Sequence, residues 1–369
     1  MSSGRNDFGL FLEKEMQERG WSQKDLSEVT GISVATVSKI INEGKGLTDE
    51  NICAIAYSFD VTPEYLRNVE FRFRMKKNPD TRRQEFIKLK AACKDIAPLN
   101  EMHKKGWIDD CSTLNGVRNA LEYLYDTSDI AELREPEIKY VARQTRFDEK
   151  LTLPYCNAWF SYARKIAGQF RNKISYRRDR LINLANKIVE YTKAELGIEK
   201  FLEELRQCGV SFFVLEHLQK TYLDGAAFVI DDSPFIVYTG RYDRLDNFWF
   251  VLAHEIAHVI LHFERLRDGI IDSDLDKNPN SDIEQEADSY AEKMLHKSIV
   301  MAKVKEFPNT YFSSSRMNYL SKETGLCDSI IMGFLAHDGI IDYRIASKYT
   351  KRSVISDIPK EYFAMKSSL

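Results

Sequence analysis

The sequence predicts a multidomain chain. Its N-terminus is all-α and its middle helical; an α+β part with a small antiparallel or mixed sheet follows, then a helical C-terminal element. Three observations carry this reading. Residues 7–42 space their apolar side chains at helical period, broken at Gly20 and Gly31. Three β-branched and aromatic runs, 209–218, 226–232 and 234–240, follow one another closely. Directly after them, NFWFVLAHEIAHVILHF (247–263) reads as a buried helix with polar residues at its centre.

The whole chain sets the bounds. Its 369 residues are enough for two or three domains with real cores. An apolar share of 43% and a charged share of 30% fit an ordinary soluble protein. No apolar run reaches the roughly 18 residues of a membrane span. The start, MSSGRNDFGLF, lacks a signal-peptide apolar core, so the expected location is the cytoplasm and no membrane partner is expected. Cys53, Cys93, Cys111, Cys156, Cys208 and Cys327 form no C-x-x-C pair, which favours reduced thiols over disulfides or a cysteine metal site.

In chain order, residues 7–20 form a first helix ending at Gly20. Ser22 caps a second helix, with Asp25 three residues on as an acidic capping box. Gly31 supplies a left-handed turn, and Ser33 caps a third helix with Val37, Ile40 and Ile41 facing inward. A short helix, a glycine turn and a further helix make a helix-turn-helix, whose last helix can enter a DNA major groove.

This stretch, continuing through LTDENICAIAYSFDVTPEYLRN (47–68), resembles the Xre/Cro-like helix-turn-helix family. The resemblance implies phosphate contacts from Gln23 and Asn42. It places Val34, Ala35, Ser38 and Lys39 near base edges, with Ser33 and Thr36 close by. Val34 and Ala35 offer only apolar contact with a thymine methyl. Such a motif usually reads a palindrome as a dimer, so operator double-stranded DNA and a homodimer are the expected partners. Against this, residues 1–70 hold seven Lys/Arg and twelve Asp/Glu, a net −5 that disfavours phosphate. A helical bundle used for protein contacts is the alternative. Residues 71–95, with nine Lys/Arg and three Asp/Glu, could compensate along the DNA backbone.

Residues 71–195 read as mostly helical, broken at Asn78-Pro79, Ala97-Pro98, Glu135-Pro136 and Leu153-Pro154. Residues 158–180 interleave arginines with Trp159, Phe160, Tyr162, Phe170 and Tyr176, which suits single-stranded nucleic acid. A helix with an aromatic core face and a basic solvated face is the other reading, and the one favoured.

From about 196 the pattern is a helix at 197–207, then the three strand runs, with Asp231-Asp232-Ser233 as a hairpin turn. A sheet edge beside the following helix could hold an extended peptide by strand addition. In that helix His254-Glu255-Ile256-Ala257-His258 matches H-E-x-x-H. Residues four apart share a helix face, so both imidazoles can meet one metal ion, with Glu255 as general base to a bound water. Two satisfied core histidines beside a solvated Glu are the bland alternative, disfavoured because an unpaired buried charge costs several kcal/mol. The stretch 282–295, DIEQEADSYAEKML, should supply a third ligand. Glu284 and Asp288 are four apart; Glu284 is assigned to the metal and Asp288 as acceptor for a ligand histidine's other N–H. Glu286 is the fallback ligand. His262 continues the histidine row but sits a turn too far along the axis to join it. Two histidines, one carboxylate and an open water position describe a catalytic zinc site in a zincin-like metallopeptidase domain. Zinc brings its water's pKa to about 7, Glu255 takes the proton, and the implied reaction is peptide hydrolysis. One Zn²⁺ per chain is expected, though ligand type admits manganese or iron.

The order Leu223-Asp224-Gly225-Ala226, hairpin, Arg241-Tyr242-Asp243-Arg244, then His254–His258, Glu284-x-x-x-Asp288 and Tyr290-Ala291 resembles the ImmA/IrrE family of zinc-dependent metallo-endopeptidases. ETGLCDSIIMGFLAHDGII (323–341) is similar to that family's helical C-terminal element. Ala257 departs from the Gly that many relatives carry there. With the N-terminal motif, the chain is similar to HigA-type antitoxin or phage-repressor-like regulators. The resemblance implies a DNA-binding regulator whose peptidase cuts itself, a repressor or a partner. It leaves open an antitoxin or repressor that binds operator and toxin with a latent site, and a housekeeping protease with a docking helix-turn-helix. Expected boundaries are 1–70, 71–195, 196–345 and a surface-packed tail at 346–369. The 308–316 loop is expected to be polar and near a substrate cleft, and His337 to be structural.

Overall fold

The computed structural model describes residues 7–43, 45–77, 81–127, 129, 133, 149–268, 282–309, 311–350 and 353–364; for 7, 74–77, 81, 82, 149–153 and 268 it describes the backbone alone. The chain divides into two compact units, 1–84 and 85–369.

In the first unit, helices Asp7–Glu18, Gln23–Thr30, Val34–Ser38, Asp49–Ser58 and Pro63–Lys77 enclose one core. Ser22 and Asp25 form the expected reciprocal box: the Asp25 N–H donates to Ser22 Oγ at 3.3 Å, and the Ser22 N–H to Asp25 Oδ2 at 2.7 Å. Gly31 is left-handed at φ 72° and ends that helix. The Thr36 N–H donates to Ser33 Oγ, fixing the start of the next. Val37, Ile40 and Ile41 are buried as their spacing requires. Beyond Ser38 the coil widens into a π-helical turn, Lys39–Glu43. Gly9 makes room for that turn, since a β-carbon on it would fall 1.9 Å from the Ile41 carbonyl oxygen.

The second unit is built on a mixed three-stranded sheet in the order β1-β3-β2, with β1 at Ser211–Val214, β2 at Gly225–Ile230 and β3 at Ser233–Tyr238. β1 runs parallel to β3 (Ser211 opposite Phe235) and β2 antiparallel to it (Gly225 opposite Tyr238). The hairpin turn is Asp231-Asp232 alone, both left-handed at φ 46° and 61°, a twist that matches the flanking strands. Ser233 already pairs with Ile230.

Strand alternation sends two sets of side chains to two buried faces. Phe212, Val214, Ala227, Val229, Ile236 and Tyr238 pack with the helix Leu245–Leu261, hereafter the central helix. Phe213, Leu215, Ala226, Phe228, Phe235 and Val237 pack with residues of the helices Leu99–Lys104, Leu114–Tyr125 and Glu149–Ala167. The sheet is therefore covered on both sides.

This arrangement changes several expectations. A boundary at 195 cuts through one hydrophobic core: the helices before it cover the second sheet face, so they belong to the unit that starts at 85. The helix Glu149–Ala167 runs through Pro154 in its second turn, where a chain break was expected; it forgoes the one hydrogen bond proline cannot donate. The other proposed breaks at Pro79 and Pro136 lie outside the described residues. Residues 346–369 are not only a surface tail. Val354 and Ile358 are buried in the main core, Phe363 bridges to Val214, and the Ala364 N–H donates to the Val214 carbonyl. The polar loop before Arg316 is shorter than expected, because a helix begins at Ser314. His337 is exposed and meets Asp338 at 3.2 Å. Among the described residues no helix is long and apolar enough to cross a membrane.

Candidate metal centre and DNA-reading helix

The central helix is apolar around its whole circumference, and every residue from Phe248 to Ile260 except Phe250 is buried. Phe248 meets Tyr238 edge-on with ring centroids 5.2 Å apart, and Trp249 meets Phe201 at 5.4 Å. The last carbonyls of the helix would otherwise lack partners. Tyr176 Oη donates to the Val259 carbonyl at 3.3 Å and Arg178 Nε to that of Ile260 at 3.0 Å. Both ends of the scaffold are thereby held while polar groups occupy its middle.

Within this apolar frame His254, Glu255 and His258 are fully buried. His254 Nε2 and His258 Nε2 lie 2.9 Å apart. The helix Asp282–Met294 crosses alongside and brings Glu284, whose Oε2 is 3.2 Å from His254 Nε2 and Oε1 3.3 Å from His258 Nε2. One ligand atom from each of the three residues falls within 4.8 Å of the others. A tetrahedral ion with bonds of about 2.0–2.1 Å holds its donors about 3.3 Å apart, so the trio has nearly that spacing. Two imidazole nitrogens turned on each other in a dry interior repel unless a proton or cation lies between them. The donor set fits a divalent ion such as zinc.

The remaining neighbours set the tautomers. Asp288 Oδ1 accepts from His254 Nδ1 at 2.9 Å, the contact expected of it. His258 Nδ1 meets His262 Nδ1 at 3.1 Å, and His262 Nε2 meets Glu286 Oε2 at 3.0 Å. Glu286 is not at the trio: two residues from Glu284 is about 200° round the helix, and its side chain is mostly exposed. It reaches His262 instead. The spacing of His254, His258 and His262 was the sequence signal for this contact, but the crossing of the two helices decides it.

In the metal-free site the charges respond strongly. Burial opposes a charged His254, yet the carboxylates of Asp288 and Glu284, with Glu255 nearby, outweigh it and raise its pKa to about 9. Burial prevails at His258 and lowers its pKa to about 4. Burial also acts to raise Glu284, but the two histidines hold it far below the usual carboxylate range. Beside the trio, Gly225 opens β2 directly against Glu255. Arg241 pairs with the buried Asp224 at 3.3 Å and lies over the rings of Tyr222 and Tyr242.

A helix-turn-helix family model matches residues 12–66, and the peptidase M78 family model, described as an IrrE N-terminal-like domain, matches residues 210–306. The chain joins a helix-turn-helix to an IrrE N-terminal-like domain. No curated protein and no solved structure gives a significant match to it.

In the helix-turn-helix, Ser33, Val34, Ala35, Lys39 and Asn42 are exposed, and Gln23, Thr36 and Ser38 partly so. Asn42 Nδ2 donates to Ser38 Oγ at 3.1 Å, and the Ser33 and Thr36 hydroxyls are 2.9 Å apart. These residues are thus open to a ligand rather than committed to the core. The basic side chains of 74–77 and 82 lie outside the described residues.

The single-stranded nucleic-acid surface does not survive. Trp159, Phe160 and Tyr162 are buried, Phe170 stacks on Phe213 at 4.6 Å and Tyr176 on Phe263 at 4.9 Å. Rings committed to a core cannot stack on bases.

Proposed function

We propose that this protein is a DNA-binding transcriptional regulator whose second unit is a zinc-dependent endopeptidase acting on a regulatory protein: itself, a repressor or a partner. The observation that carries the reading is the convergence of His254, His258 and Glu284, with Glu255 buried on the same helix. His254, His258 and Glu284 would hold the zinc, which would supply Lewis acidity to a peptide carbonyl and lower the pKa of the attacking water to near 7. Glu255 is the base for the attacking water, and on collapse it returns the proton to the leaving amine. Asp288 holds His254 with Nε2 turned inward. Among the described residues β2 is an edge strand, and it begins at Gly225 beside Glu255, a suitable template for an extended peptide. In the first unit Val34, Ala35, Ser38 and Lys39 face base edges, Gln23 and Asn42 take phosphates, and a homodimer reads a palindromic operator. The expected location is the cytoplasm, in a phage, stress-response or toxin–antitoxin setting.

One observation favours a second reading, a HigA-type antitoxin or repressor with a latent peptidase. His254, Glu255 and His258 are all fully buried, so a substrate reaches them only after an opening.

The deciding experiment measures metal content by mass spectrometry for wild type, His258→Ala and Glu284→Ala, with intact-mass analysis after incubation with proteins encoded nearby. About one zinc per chain, lost in both variants, together with cleavage abolished by Glu255→Gln, supports the peptidase. A metal-free wild type sinks it. Metal without cleavage, and operator binding lost in Lys39→Ala, favours the latent regulator.

A further inference from the structure

His262 and Glu286 have no place in the trio, yet their hydrogen bonds leave little freedom. A carboxylate only accepts, so at 3.0 Å from Glu286 Oε2 the His262 Nε2 carries its hydrogen. A neutral His262 then has a bare Nδ1, which accepts. The group facing that nitrogen at 3.1 Å is His258 Nδ1, which must therefore carry the donated hydrogen. His258 Nε2 is left bare, and this is the nitrogen turned toward His254 and Glu284. With His262 neutral, the tautomer of His258 is thus set through the chain Glu286–His262–His258.

The backbone supports the same path. His262 ends the central helix, its N–H donating to the His258 carbonyl at 2.8 Å, and its ring is 6% exposed. Glu286 lies at the rim, 64% exposed, so the chain of contacts runs from the buried trio outward. His254 is served differently, by Asp288 in a single step. One helix therefore supplies all three carboxylates: Glu284 to the metal position, Asp288 directly to one histidine, and Glu286 through an imidazole to the other.

We infer that His262 and Glu286 are positioning residues for the metal, acting as a hydrogen-bonded relay that fixes His258 with Nε2 toward the ion. This inference rests on the metal site proposed above. Outer contacts of this kind are worth about 10–100-fold in metal affinity.

The test is zinc affinity of the full chain, read by competition with a chromophoric chelator at one pH, with cobalt-substituted spectra as a report of ligand geometry. His262→Leu should bind about 10–100-fold more weakly, with about one zinc still bound at saturation and a shifted cobalt spectrum. His262→Asn should recover most of the loss, because its Oδ1 stands near the former Nδ1 and accepts the same N–H. Glu286→Ala, a surface change that leaves folding intact, should weaken binding on its own yet add nothing in the His262→Leu background. Unchanged affinity in His262→Leu or Glu286→Ala overturns the relay. So does a His262→Asn variant as weak as His262→Leu, or an additive double variant. A wild type that binds no zinc is a different failure: it removes the metallopeptidase reading, and the relay with it.

Discussion

Gly225 and Glu255 are in such close contact that a β-carbon on the glycine would lie 2.9 Å from Glu255 Oε1 and 2.6 Å from Val251 Cγ1. The first residue of an edge strand thus abuts the proposed base in a packed interior. Gly225→Ala must push either the strand or the carboxylate aside. Overpacking of this kind costs about 1–3 kcal/mol, and misplacing a catalytic group by an ångström costs on the order of 100-fold in rate. Zinc content should stay near wild type while cleavage falls by roughly that factor. A Gly225→Ala protein that cleaves normally would show that Glu255 is not held by this contact.

Metal uptake should depend steeply on pH. With His254 raised to about 9, the metal-free site keeps a proton there at neutral pH, between the histidine and its carboxylates. Zinc needs the Nε2 lone pair and must expel that proton. Apparent affinity should therefore rise about tenfold per pH unit from 7 toward 9 and level off above. His258, lowered to about 4, adds no step in that range. Titrations in buffers of different ionisation enthalpy should show about one proton released per zinc at pH 7.5. A flat profile would mean that the carboxylates do not hold the proton.

What the sequence disclosed follows from how local each feature is. The Ser22–Asp25 box, the Gly31 turn and the face shared by His254 and His258 depend on spacings of three or four residues, which helix geometry fixes. Glu284 and Asp288 were legible for the same reason. The aromatic core face carrying Trp159 and Phe160 was legible as well, but not what it covers, because a helix shows that it has an apolar face and not which sheet that face meets. The His262–Glu286 contact depends on the crossing of two helices, and the docking of Val354 and Phe363 joins residues more than a hundred positions from their partners.

The shared core predicts where the chain can be cut. A fragment beginning at 196 exposes Phe213, Phe228, Phe235 and Val237 on one sheet face. It should aggregate, whereas a fragment beginning at 85 should fold and bind zinc. Within the intact chain, Trp159→Ala removes a fully buried ring and its Nε1 bond to the Glu216 carbonyl, at a cost of about 3–5 kcal/mol. A soluble, zinc-binding 196–369 fragment would show that the earlier helices are dispensable.

Gly9 allows a similar test in the first unit. Its replacement by alanine drives a methyl into the Ile41 carbonyl, at the turn that follows the exposed Val34 and Ala35. Gly9→Ala should lower the melting point of this unit and weaken operator binding at least tenfold, about 1.4 kcal/mol, with zinc content unchanged. Operator binding at wild-type strength would place the reading surface elsewhere.

The C-terminal segment offers a pH-dependent handle. Asp243 accepts from the Val354 and Ile355 N–H groups at 2.6 and 2.9 Å and from Ser353 Oγ at 2.6 Å. Burial acts to raise its pKa, but these donors more than offset it and leave the carboxyl below its usual value. A depressed folded-state pKa contributes stability that is present above the unfolded value of about 3.9 and is lost as pH falls through the folded one. Asp243→Ala should therefore cost about 1 kcal/mol at pH 7, toward the low end because the carboxylate is solvent-screened. The penalty should shrink toward zero in acid, as the wild type loses the same charge. Melting curves of the two proteins between pH 3 and 7 should converge at the acidic end. Curves that stay parallel would assign the contact to packing of Val354 rather than to the charge.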